Sequence, residues 1–62
     1  MTDADMITRL AENTRRIVKL TADLTKALGE PNRWFIVDEI QELSDENERI
    51  RLDYALRLGH DN

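Results

Sequence analysis

Six carboxylates fall within eleven residues: Asp38, Glu39, Glu42, Asp45, Glu46 and Glu48. Acids packed this densely can hold a pair of metal ions in a helical bundle, or share a proton as an acid–base dyad. Bundle metal chemistry also asks for Glu-x-x-His motifs on facing helices, and the one histidine, His60, is in no such motif. On a helix, Glu42, Asp45 and Glu48 project to the back, and nothing closes a cleft around them. Asp45 with Arg49 and Asp53 with Arg57 stand four residues apart, the spacing of helix-surface ion pairs. The acids therefore read as a solvated face. There is no cysteine, which removes thiolate nucleophiles, thiolate metal sites and disulfides together. Two glycines are too few for a phosphate-cradling loop. No catalytic residue, cofactor or metal is expected, and the chain reads as a non-enzyme.

The bases are grouped differently. Arg9, Arg15, Arg16, Lys19 and Lys26 give the stretch from Met6 to Leu28 a charge of +3, while the chain from Glu30 onward carries −5. Three functions fit this asymmetry: charge complementarity between neighbouring helices, docking of a protein partner on a charged face, or RNA binding by those five bases. The net charge of −4 argues against a general nucleic-acid or membrane-surface binder. RNA is the one nucleic acid left open.

These residues need elements to carry them. With 62 residues the chain is a single domain, in the size range where one core is marginal without help. The internal glycine–proline punctuation is confined to Leu28-Gly29-Glu30-Pro31-Asn32. Gly29 suits a left-handed helix cap, Pro31 cannot continue the preceding helix, and Asn32 can open the next. The pattern predicts an all-α antiparallel hairpin: helix 1 over about residues 3–28, a turn at 29–32, helix 2 over about 33–58, and a polar tail at 59–62. Ser44-Asp45-Glu46-Asn47 resembles an N-cap, so a break in helix 2 is the alternative; the unbroken phase of the apolar residues favours one continuous helix. No apolar run reaches membrane-spanning length, and the acidic start is not a signal-peptide head; no membrane partner and a cytoplasmic location are expected.

Helix 1 shows a heptad line through Ile7, Leu10, Thr14, Ile17, Thr21, Leu24 and Leu28, flanked by Met6, Ala11, Val18, Leu20 and Ala27. The apolar and small residues cover about half the circumference, more than one neighbouring helix can hide. Helix 2 shows a narrower line through Ile36, Ile40, Leu43, Asn47, Ile50, Tyr54 and Leu58. A homodimer that completes a four-helix bundle follows from this excess, with interface residues Ile7, Leu10, Ile17, Leu20, Leu24, Ile40, Leu43, Asn47, Ile50 and Tyr54. Asn47, Thr14 and Thr21 are polar members of these lines, expected to fix register at some cost in stability, so that Asn47→Leu would stabilise the fold.

Trp34 and Phe35 either plug the loop end of the bundle or anchor a partner. Leu52 and Leu56, near the back of helix 2, divide between dimer contact and partner contact. Residue His60, after Gly59, is placed to interact with the helix dipole. A short hairpin that turns near its middle and ends Arg57-x-Gly59-x-Asp61 resembles the Rop family of plasmid proteins, whose hairpin dimers bind paired RNA loops. That resemblance implies a topology. It carries over no RNA-binding residue, because helix 1 here lacks the aromatic that such a surface uses.

The reading that joins these features is a small acidic helical protein that self-associates and binds a protein partner as an adaptor, inhibitor or regulator. Small bacterial, plasmid and phage regulators are of this kind, and arginine outnumbering lysine seven to two points to a GC-rich genome. An RNA-binding hairpin dimer and a structural subunit of a larger assembly are the alternatives.

Overall fold

A computed structural model describes residues 2–59, as two helices: α1, Asp3–Lys26, and α2, Arg33–Gly59. His60 and the Asp61 of the Arg-x-Gly-x-Asp ending lie outside the described residues. Each helix begins and ends for local reasons. Thr2 caps α1: its hydroxyl accepts from the Asp5 N–H at 3.1 Å, and the Asp5 carboxylate accepts from the Thr2 N–H at 3.3 Å. These hydrogen bonds hold the Asp5 carboxyl below its ordinary value. Asp3 and Asp5 in the first turn and Lys26 in the last complement the helix dipole.

At the other end the Ala27 N–H bonds to the carbonyls of Asp23 and Leu24, and Gly29 turns the chain with φ +89°, a left-handed conformation that disfavours a Cβ. Asn32 opens α2 with its backbone carbonyl, which accepts from the Phe35 N–H at 3.1 Å. The second helix then runs without interruption through Ser44. Gly59 ends it without entering the left-handed region that Gly29 uses.

The two helices pack antiparallel, and two contacts set their register: Asn13 bonds Asn47, and Asp3 pairs with Arg57. Both pairs of numbers add to the same total, so Met6 lies level with Tyr54, Ile17 with Leu43 and Leu20 with Ile40. The residues of α1 that face α2 are Met6, Leu10, Asn13, Ile17, Leu20 and Leu24, continued by Ala27 just past the helix end, all buried or half-buried. This corrects the expected line. Leu10, Ile17 and Leu24 belong to it, but Ile7, Thr14, Thr21 and Leu28 are exposed. The physical reason is that Met6 and Leu20 bury more apolar surface than Thr14 and Thr21 can, and that Asn13 finds a buried partner amide. On α2 the expected line from Ile36 to Tyr54 does face α1; Leu58 is exposed because its register partner lies before the start of α1.

The result is a rod of 50 × 15 × 15 Å. Its radius of gyration is 14.7 Å, against about 11 Å for a compact chain of this length. Two rods side by side enclose little: among the described residues the buried apolar ones are Met6, Leu20, Ala27 and Ile50, and of these Met6 is fully enclosed.

Candidate functional site

The long sides of the hairpin differ in chemistry. One is ionic: Arg9 pairs with Glu46 through two hydrogen bonds, and Arg16 with Glu39 at 3.1 Å, both bridging α1 to α2. Arg57 pairs with Asp53 on its own helix and with Asp3, at the N-terminal end of the opposite side of α1, each at 3.3 Å. The Arg9 guanidinium, with the Asn13 side chain second, holds the Glu46 carboxyl below its ordinary value. These pairs answer part of the charge asymmetry between the halves of the chain. They also occupy two of the five candidate RNA-binding bases, Arg9 and Arg16, leaving Arg15, Lys19 and Lys26 facing outward.

The other outward side of α1 is uncharged. With about 100° per residue, an arc of about 120° from Leu10 round to Ala22 has no charged side chain between Ala4 and Leu28. It contains Ile7, 58% exposed, Val18, 65%, and Leu28, 70%. Three threonines on it turn their hydroxyls back onto their own helix: Thr14 to the Leu10 carbonyl at 2.8 Å, Thr21 to Ile17 at 2.7 Å and Thr25 to Thr21 at 3.0 Å. Bonded this way, a threonine presents its methyl group outward and needs no external partner.

The outer face of α2 is a third surface. Trp34, Asp38, Gln41, Asp45, Glu48 and Leu52 follow at intervals of four and three, with Leu56 one turn further, and all are exposed. Apolar residues therefore stand at both ends of a line about 33 Å long, with acids between them. The expected plug at the loop end does not form within the hairpin: Trp34 is 60% exposed and Phe35 77%. Being neighbours on a helix, they diverge by about 100°, and neither points at α1. Instead the Arg33 guanidinium lies 5.1 Å from the centre of the Trp34 ring. Among the surface pairs, Asp45 accepts from Gln41 at 2.9 Å, while Arg49 reaches the Asp45 carbonyl rather than its carboxylate.

Of the residues expected at an oligomer interface, Leu20, Asn47 and Ile50 are buried inside the hairpin and Leu10, Ile17, Leu24, Ile40, Leu43 and Tyr54 half-buried; Ile7 alone is fully on the surface. The residue missed by sequence reasoning is Asn13, whose spacing from Met6 and Leu20 would have revealed it had it been apolar. Among the described residues no three His, Cys, Asp or Glu side chains come together as a metal site. A groove beside Met6, Glu46, Arg49, Ile50 and Asp53 is open to solvent. No helix among them is long and apolar enough to cross a membrane. Compared with known protein families, with curated proteins and with solved structures, the chain matches none.

Proposed function

We propose that this chain is a small non-enzymatic helical protein that self-associates and binds a protein partner as an adaptor, inhibitor or regulator, using the outer face of α2 for that partner. The observation that carries the reading is the line from Trp34 to Leu56, in which exposed apolar residues bracket Asp38, Asp45 and Glu48. Tryptophan and leucine standing in water cost solvation free energy that a docked partner recovers. The acids between them select a partner with a basic strip between two apolar pockets.

Affinity capture with this chain as bait, run beside a Leu52→Glu/Leu56→Glu variant and a Trp34→Ala variant, tests the reading. A protein retained by the unaltered chain and released by both variants supports it. A partner that ignores both variants places the binding elsewhere. RNA in the same eluate, lost on raising the salt, would favour a nucleic-acid function instead.

A further inference from the structure

Self-association is part of the function just proposed, and the inference here rests on it while naming the face and the orientation. From Ile7 to Leu28 every fourth and third residue in turn, Ala11, Thr14, Val18, Thr21 and Thr25, is small or apolar. This is a second heptad line on α1, parallel to the one spent on α2, and every member but Leu28, which lies in the turn after the helix, sits within the regular helix. We infer that this α1 face packs against the same face of a second copy, with the two α1 helices antiparallel and Val18 at the two-fold axis.

Surface area gives the occupant its size. The chain exposes 4966 Å², where a compact monomer of its 7.3 kDa mass exposes about 4,200 Å². The excess, roughly 800 Å², is what each partner contributes to an interface of ordinary size. A second copy of the same chain can supply a matching surface of the same length, and small residues let two helices approach closely. The threonines fit this role because their hydroxyls already have acceptors on their own helix, so burial leaves no polar group unsatisfied.

Charge sets the direction. The flank of the stripe that lies away from α2 reads Asp5, Glu12, Arg15, Lys19, Asp23, Lys26 from N- to C-terminus. When the helices run antiparallel this flank meets its own copy reversed, and Glu12 of one chain falls between Lys19 and Lys26 of the other. Two like-charged approaches remain, Glu12 with Asp23 and, near the axis, Arg15 with Lys19, whose long side chains can extend into water. In a parallel pair every charge would meet its own copy. The antiparallel arrangement also sets the helix dipoles head to tail. The outer face of α2, on the far side of each hairpin, stays open in this dimer.

Val18→Glu and Val18→Lys test the face. Val18 is 65% exposed in the hairpin, so each variant should keep its helical circular dichroism. Each alone places like charges at the axis, and its mass by light scattering should fall from twice 7.3 kDa to 7.3 kDa. An equimolar mixture of the two should return to the double mass. If Val18→Glu stays dimeric, self-association stands but this face is wrong; if the unaltered chain is a single copy at millimolar concentration, self-association itself fails. Orientation is read by disulfides in a chain that has no native cysteine. Thr14→Cys mixed with Thr21→Cys should oxidise to the mixed dimer, and a Thr14→Cys chain that crosslinks efficiently to itself would overturn the antiparallel assignment.

Discussion

The side-chain amide of Asn13 donates to the side-chain Oδ1 of Asn47 at 2.9 Å, with both residues 5% exposed in the middle of an otherwise apolar seam. This pair fixes which residues of the two helices stand level, since a slip by one turn would leave two buried amides without partners. It also reverses the sign of the effect expected for Asn47→Leu. Removing one partner leaves Asn13 buried and unpaired, at a cost of about 1–3 kcal/mol. In a chain this short each kcal/mol lowers the melting temperature by about 4–8 °C. Replacing both by leucine removes the penalty, so the double variant should melt at or above the unaltered protein. Thermal melts of the two single variants and the double close the cycle. Additive losses in the double would mean that the two amides do not depend on each other.

The two glycines make opposite predictions for the same substitution. Neither has any atom within 4 Å of where a Cβ would sit, so sterics with neighbours play no part. Gly29 has φ +89°, and Gly29→Ala pays the left-handed strain of about 1–2 kcal/mol. Gly59 is the last residue of α2 and has no such φ, so Gly59→Ala should be neutral or stabilising by up to about 1 kcal/mol. Urea titration followed at the helical band distinguishes them, and equal midpoints for both would remove the argument.

Acid should loosen the hairpin through the ionic side. Glu46, held low by Arg9, and Asp5, held low by Thr2, have folded values below their unfolded ones. Their contribution is thus present above the ordinary carboxylate range, about pH 4, and is lost as pH falls through the depressed values. Stability should hold from neutral to about pH 5 and decline below about pH 4. Glu46→Gln abolishes its share, so the difference between that variant and the unaltered protein should vanish in acid and shrink in high salt. A difference that persists at pH 2 would assign the role of Glu46 to packing.

Much of this architecture is legible in the sequence because glycine and proline are concentrated in one place and the apolar residues keep a helical period on both sides of it. The Ile36–Tyr54 line of α2 could be read directly, since that stripe is narrow and has one solution. The contact line of α1 could not. Its apolar and small residues cover half the helix, so two adjacent heptad lines share Leu10, Ile17 and Leu24. They differ in whether Met6, Asn13, Leu20 and Ala27 or Ile7, Thr14, Thr21 and Leu28 go inside, the polar member being Asn13 in one and Thr14 with Thr21 in the other. That choice depends on Asn47, 34 residues away, and no local pattern encodes it. Large aromatics suggest burial, but Trp34 and Phe35 stand level with the last residues of α1 and point off the α2 contact line, which passes through Ile36, so the hairpin alone cannot bury them.

Trp34 offers a test of whether the two outward faces are independent. It is the single tryptophan, 60% exposed, on the outer face of α2, with the Arg33 guanidinium over its ring. The α1 stripe that would pair two copies lies on the other helix and points away from it. Tryptophan emission should therefore stay at the long-wavelength, solvent-exposed end across a dilution series that takes the protein through its dimer–monomer transition. It should shift to shorter wavelength only when a partner covers the α2 face. Iodide quenching gives the same information by a second route, with accessibility unchanged by dilution. Were the emission to shift in step with self-association, Trp34 would lie in the contact between copies. The chain would then be a structural subunit whose assembly consumes the surface assigned here to a partner.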